Sequence, residues 1–263
     1  MNYSLSELRD AAVEFAKIGG NSTLNHFGKS FELEFKSDQS PVTNADRESE
    51  KLIREKIKEH FPGHGIIGEE YGAENEDSDI VWVLDPIDGT QSFIHGIPLY
   101  TTLIGILIDD KPMVGVIYAP VLSEMVSAGT GLGCRLNGKP CGIRSCSNIS
   151  EATFLTTEAV SVYKYGFGEA YEKLLDSTRI SRTWGDAYGH MMVASGRADI
   201  MFDPILNLWD AAALLPVITE AGGSFTDIHG NATIETGNGI STNPELLSEI
   251  LPLFNENQSN ENL

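Results

Sequence analysis

Ile80-Val81-Trp82-Val83-Leu84 is a continuous apolar run that stops on Asp85-Pro86-Ile87-Asp88-Gly89-Thr90. No other segment limits the possible folds as much. Apolar residues without alternation predict a strand covered on both faces, which requires layers on either side of its sheet. The acids that follow then emerge from the interior at the strand's end. Pro86 stiffens the turn and Gly89 permits a tight one, so Asp85 and Asp88 can converge with the Ile87 carbonyl between them. Hard divalent cations take such oxygen clusters. A surface acidic turn is the plain alternative, weakened by the apolar run before it.

Further acids stand in like positions. Glu69 follows the short apolar stretch Gly65-Ile66-Ile67-Gly68. Asp210 opens the apolar segment Leu208–Ala221, and Asp46 opens a helix predicted over Ala45–His60. For Asp210 and Asp46 the ordinary reading is a first-turn acid that suits the helix dipole. Cys134, Cys141 and Cys146 have no Arg-rich phosphate loop beside them, and the six histidines show no metal-ligand spacing. Nothing here suggests a covalent nucleophile.

Around these motifs the periodicity predicts an amphipathic helix over 5–27 and the Ala45–His60 helix, whose Glu48, Glu50, Lys51, Arg54 and Glu55 read as a solvated, ion-paired face. Glu74–Asp79 reads as a loop. Thr102–Ile108 and Met113–Tyr118 read as a hairpin about Asp109–Pro112, and Asn137-Gly138 is a second hairpin turn. After Ile149, short strands at Thr153–Thr157, Ile200–Phe202 and Gly239–Thr242 alternate with helices at Glu169–Leu175, Ala187–Ser195, Leu208–Ala221 and Pro244–Phe254. The division expected is 1–146, an α+β half with a large, mostly antiparallel sheet, and 147–254, a more regular α/β half. Residues 255–263 read as a disordered polar tail.

The chain has 18 Lys+Arg against 38 Asp+Glu, a formal net charge of -20. Such a balance argues against nucleic acid and anionic membrane surfaces as partners. No apolar run reaches the roughly 18 residues of a membrane helix, and no signal peptide is visible. Three cysteines fit a reducing cytoplasm. An anionic substrate remains open, because bound cations invert the local field.

Gly68-Glu69-Glu70, Trp82–Thr90 and Trp209-Asp210-Ala211-Ala212 together resemble the inositol monophosphatase family of Mg-dependent phosphatases, in order over residues 5–254. The resemblance implies a layered αβαβα sandwich and hydrolysis of a small phosphate monoester by metal-activated water, with roughly two to three Mg²⁺ per site. It also implies a homodimer. Carried over by position, Glu69, Asp85 and the Ile87 carbonyl match ligands of one metal, and Asp85, Asp88 and Asp210 those of a second. Thr90 with Glu69 matches the pair that orients the attacking water. Asp46 matches a residue that holds waters near a third metal and supports Thr90. The Gly89 and Thr90 amides match a phosphate cradle.

Finer segments resemble the histidinol-phosphatase branch: Ser40–Asp46, Thr90–Pro98, Trp184-Gly185-Asp186-Ala187-Tyr188-Gly189 and Ala194–Asp199. Gln91 departs from the Lys usual there. Histidinol phosphate carries an ammonium and an imidazole, so its pocket gains from acids beyond the metal ligands. Trp184, Gly185, Asp186 and Asp203 are the candidate substrate contacts beside Asp88, Gly89, Thr90 and Asp210. Each has a plain reading too: a helix N-cap for Asp186, an Asp-Pro turn for Asp203, and core packing for Trp184. The alternatives are an inositol-1-phosphatase and a nucleotide 3′-phosphatase of the same superfamily. The latter usually has Leu in place of Ile87.

Overall fold

The computed structural model describes residues 3–36 and 40–255. Two helices come first, α1 (Leu5–Thr23) and α2 (Asn44–His60), separated by the antiparallel pair β1 (Leu33–Phe35) and β2 (Pro41–Thr43). Ser4 caps α1 in a reciprocal box with Glu7, and Thr43 caps α2 in the same way with Asp46. The α1 helix stops at Thr23, short of the 27 expected. The Ser22 and Thr23 hydroxyls bond back to the Gly19 and Gly20 carbonyls, and the Leu24 amide tightens onto Asn21.

An eight-stranded sheet follows in the order β10-β9-β8-β7-β6-β5-β3-β4. Its strands are β3 (Gly65–Gly68), β4 (Gly72–Glu74), β5 (Ile80–Asp88), β6 (Thr101–Ile108), β7 (Lys111–Ala119), β8 (Glu124–Gly129), β9 (Gly133–Leu136) and β10 (Lys139–Pro140). The helix α3 (Thr90–Ile94) links β5 to β6. β3 and β5 run parallel and the other neighbours antiparallel. The β6–β7 turn sits on Asp109 and Asp110, both at positive φ, which suits the twist of a tight hairpin.

The second sheet has five strands in the order β12-β11-β13-β15-β14. These are β11 (Thr153–Thr156), β12 (Ile180–Arg182), β13 (Ile200–Asp203), β14 (Ser224–Thr226) and β15 (Gly239–Thr242). Its helices are α4 (Ala159–Lys164), α5 (Gly168–Ser177), α6 (Asp186–Ala194), α7 (Leu208–Glu220) and α8 (Pro244–Asn255). The tail read from 255 onward lies, apart from Asn255, outside the described residues.

Strand alternation assigns the layers. Trp82 and Leu84 of β5 join Ile104, Ile106 and Val116 against Leu8, Phe15, Ile53 and Ile57 of α1 and α2. Val81 and Val83 point the other way, onto Ala212 of α7. Leu103, Ile117 and Val126 share a core with α6, α7 and Leu155, Met201 and Phe225 of the small sheet. Beyond that sheet, Phe154, Ile200 and Phe202 pack on α5 and α8. The five layers are α, β, α, β, α, the sandwich expected. α7 lies very close to the large sheet. A Cβ on Gly105 would meet Ala212 at 2.6 Å, and one on Gly115 the Ala213 carbonyl at 2.1 Å.

One expectation about α2 needs correction. Glu50 and Arg54 are ion-paired, at 2.7 Å, but they are not solvated: Glu50 is 0% exposed and Arg54 7%. Glu50 accepts the Glu70 and Tyr71 amides as well, so this pair bolts α2 to the turn after β3.

Candidate active site

β5 does not end at Asp85. It continues to Asp88 through a bulge, with Asp85 opposite Leu103 and Asp88 opposite Thr101. A regular strand would put residues 85 and 88 on opposite faces, and the irregularity brings them to one side. Pro86 offers no ladder donor, and Asp85 Oδ1 accepts the Ile87 amide at 3.0 Å in a local turn. The Thr102 hydroxyl holds the Pro86 carbonyl at 2.8 Å. Asp210 arrives from the first turn of α7. Its Oδ2 accepts the Asn207 backbone amide at 2.6 Å and side-chain amide at 3.2 Å. Asp85, Asp88 and Asp210 each bring an oxygen within 4.8 Å of the others.

The electrostatics follow from burial without a counter-charge. Burial, then repulsion by Glu69, Asp88 and Asp210, pushes the Asp85 carboxyl well above the usual range. Asp88 is driven the same way by burial and by Asp186 and Asp210, against the hydrogen bonds it accepts. Burial raises Asp210 to about 7 despite the Asn207 amide. Bare carboxylates in this state are costly, and an oxygen cluster of this kind fits a divalent cation.

The remaining predicted residues fall in identifiable places. Glu69 extends the β3 ladder, its amide on the Leu84 carbonyl at 3.2 Å, which sets it beside Asp85. It stands outside the carboxylate trio, and its Oε1 takes the Lys36 ammonium at 2.8 Å. Burial raises its carboxyl, and Lys36 opposes that. Asp46 Oδ2 accepts the Thr43 amide and hydroxyl, whereas its buried Oδ1 has no partner. Burial raises Asp46 to about 7. Thr90 does not lean on Asp46; its hydroxyl donates to the Ile87 carbonyl at 3.1 Å.

Gly89 takes φ 82, and a Cβ there would lie 2.7 Å from Asp186 Oδ2. Asp186 itself is not an N-cap. Gly185 holds that position, while Asp186 begins α6 at φ 53, with its carboxyl raised to about 7 by burial and by Asp203 and Asp210. Asp203 is 3% exposed at the end of β13, so it is no surface turn. Trp184 is corrected from core to surface at 40% exposure, because it precedes α6 in open chain. Asp88, Asp186, Asp203 and Asp210 line a cavity of about 150 Å³ with Thr157 and Glu158; Trp184 and Gly185 do not. A roomier cavity of about 670 Å³ beside α1 is lined by Arg9, Lys17 and Arg135 and holds none of these acids.

Several neighbours carried no sequence signal. The Thr101 hydroxyl and the Ala187 amide both donate to Asp88 Oδ2, at 3.0 and 2.7 Å, so α6 supports an acid on the large sheet. Lys36 reaches Glu69 and Glu70 from beyond β1. Thr157 accepts the Asp186 amide at 2.7 Å and donates to Asp203 at 2.5 Å. Strand pairing sets Thr101 beside Asp88 and Thr157 beside Asp203, and the packing of α6 on the large sheet brings Ala187 to Asp88.

Residues 4–259 match the profile described as inositol monophosphatase family. The histidinol-phosphatase of Chlorobaculum parvum is 40% identical over 87% of this chain and 89% of the relative. Among solved structures, the extragenic suppressor protein suhB of Bartonella henselae superposes with TM-score 0.89 at 26% identity, covering 95% of this chain and 99% of that one. A Thermotoga maritima IMPase gives 0.87 at 30% identity, over 94% and 96%.

Proposed function

The chain belongs to the inositol monophosphatase family and is a phosphoric monoester hydrolase, and from that premise we propose that it converts histidinol phosphate to histidinol and phosphate. The observation that carries the substrate is the surplus of acid beside the trio. Asp186, Asp203 and Glu158 line the cavity beyond Asp88 and Asp210, with no cationic side chain among the lining residues. A substrate end bearing an ammonium and an imidazole suits such a wall through charge-assisted hydrogen bonds. The likeness to the Chlorobaculum enzyme supports the same choice. Inositol 1-phosphate is the second reading, favoured by the likeness to the Thermotoga IMPase.

We assign Mg²⁺ as the metal. Glu69, Asp85 and the Ile87 carbonyl would hold one ion, Asp85, Asp88 and Asp210 a second, and Asp46, with its unpartnered Oδ1, would support a weaker third. Bound there, the ions supply the positive charge that neutralises the ester and acidifies a water. The protein does the rest. Thr90 and Glu69 orient the attacking water as hydrogen-bonding partners. The Gly89 and Thr90 amides hold phosphate oxygens. Asp88 is kept in place by Thr101 and Ala187. Asp186 and Asp203 receive the remote end of the alcohol.

A substrate panel tests the reading. With Mg²⁺ present, kcat/KM for histidinol phosphate should exceed that for inositol 1-phosphate, adenosine 3′,5′-bisphosphate and glycerol 2-phosphate. A preference for inositol 1-phosphate would sink the substrate assignment and leave the phosphatase standing. We further assign a cytoplasmic homodimer, to be checked by light scattering and cell fractionation. Among the described residues no helix is long and apolar enough to cross a membrane.

A further inference from the structure

His190 sits in the middle of α6 and is 0% exposed. Both ring nitrogens are engaged. Nε2 lies 3.0 Å from Asp203 Oδ2, and Nδ1 lies 2.6 Å from the Ser241 hydroxyl on β15. A carboxylate can only accept, so Nε2 carries the hydrogen toward Asp203. Nδ1 shares a hydrogen with the Ser241 hydroxyl, so both ring nitrogens have partners. The other Asp203 oxygen accepts the Thr157 hydroxyl at 2.5 Å, and Thr157 in turn accepts the Asp186 amide at 2.7 Å.

The line Ser241–His190–Asp203–Thr157–Asp186 therefore ties the small sheet to the cavity wall. Asp203 is gripped at both oxygens, so its side chain has one orientation at the wall of the cavity it lines. Asp186 is held by its own amide in a left-handed conformation that a non-glycine residue rarely adopts. Buried polar networks of this kind hold one geometry when complete and fail when one member is lost.

We propose that His190 is a positioning residue that fixes the Asp203 carboxylate as the acidic end of the substrate cavity, and so sets the preference for a cationic alcohol. The inference rests on the substrate reading above, and the experiment separates the two. The His190→Phe variant keeps a ring and removes both hydrogen bonds. His190→Gln keeps an amide donor near the Nε2 position. In His190→Phe, kcat/KM for histidinol phosphate should fall about 10- to 100-fold, mainly through KM, the scale of a lost hydrogen bond to a charged group. Glycerol 2-phosphate should fall no more than about threefold, since it lacks the cationic end that Asp203 receives. The half-saturating Mg²⁺ concentration should not move. His190→Gln should recover most of the loss, and His190→Phe should add little once Asp203→Asn is already present.

An equal fall for both esters, or no recovery with Gln, would overturn the proposal and leave His190 a core residue. If His190→Phe does not fold, Ser241→Ala decides. It frees the ring from its second anchor and should shift the same ratio in the same direction, by less; an unchanged ratio overturns the proposal. Should the wild type prefer another ester, the substrate reading fails. The ratio of that ester to glycerol 2-phosphate in the same variants then tests His190 on its own.

Discussion

Two regions of the molecule bury acids, and they treat them in opposite ways. Beneath the turn after β3, Glu50 is surrounded by donors: the Arg54 guanidinium at 2.7 Å and the Glu70 and Tyr71 amides at 2.8 and 3.2 Å. Asp199, just before β13, is similar, gripped by Arg144 and the Thr153 amide. At the end of β5, Asp85, Asp88 and Asp210 face one another with only amides and a hydroxyl for support. The paired acids are structural members. The unpaired trio keeps free lone pairs and leaves its charge to be balanced from outside the chain. A cation of its own thus separates Glu50 and Asp199 from the trio, while Glu69, which holds Lys36, stands between the two groups.

Breaking the unpaired region should abolish turnover and spare the fold. Asp88→Asn and Asp210→Asn should lower kcat by at least about 10³-fold, the scale of removing a charge-stabilising group. Their melting temperatures in chelator should equal or exceed the wild type's, because a repulsion is relieved. Excess chelator should silence the native enzyme and added Mg²⁺ restore it; full activity in chelator would end the metal reading. Thr90→Ala should cost about 10²–10³ in kcat with a smaller change in KM.

Breaking the paired region should do the reverse. Glu50→Ala leaves Arg54 buried without its partner, at a cost of roughly 3–5 kcal/mol. For a chain this size that is about 6–20 °C of melting temperature. In Mg²⁺ at low temperature the folded fraction should keep most of its kcat. If Glu50→Ala lost activity without losing stability, the contrast between the two regions would be wrong.

Smaller effects sharpen the contrast. Asp186→Asn and Asp203→Asn should lose about 10- to 150-fold in kcat/KM for histidinol phosphate, and clearly less for glycerol 2-phosphate. Equal losses on both esters would make these acids supports for the metal trio. The pH dependence of the metal-free protein is the subtlest readout. Asp46, Asp186 and Asp210 are raised to about 7, so between their unfolded values near 4 and that pH the folded state binds more protons than the unfolded one. Stability should therefore fall as pH rises across that window, with the full penalty present above about 7. Mg²⁺ should flatten the trend, and Asp210→Asn should lessen it. Calorimetry showing the metal-free protein more stable at pH 8 than at pH 6 would contradict the uncompensated trio.

Legibility followed the range of the interactions. The β5 strand, the α7 helix, the Asn137-Gly138 turn and the αβαβα layering were all readable, because periodicity, turn chemistry and the motif resemblance are carried by neighbours in the chain. Glu50 was read as ion-paired from its spacing to Arg54, and that was right. Its burial was not readable, since only the packing of α2 over the turn after β3 removes the pair from water.

The sequence by itself determined which acids exist, that two of them follow a buried apolar run, and the kind of metal chemistry they suit. The tertiary structure decided their company. The bulge between Asp85 and Asp88 puts both on one side, and α6 lends one first-turn amide, that of Ala187, to an acid about a hundred residues away in the chain. A hydrogen bond from Ala187 to Asp88 depends on α6 meeting the large sheet, and the grip of His190 and Thr157 on Asp203 depends on α6 and the end of β11 lying beside β13. No local pattern encodes such contacts, because each partner alone looks like an ordinary Ala, His or Thr in an ordinary element.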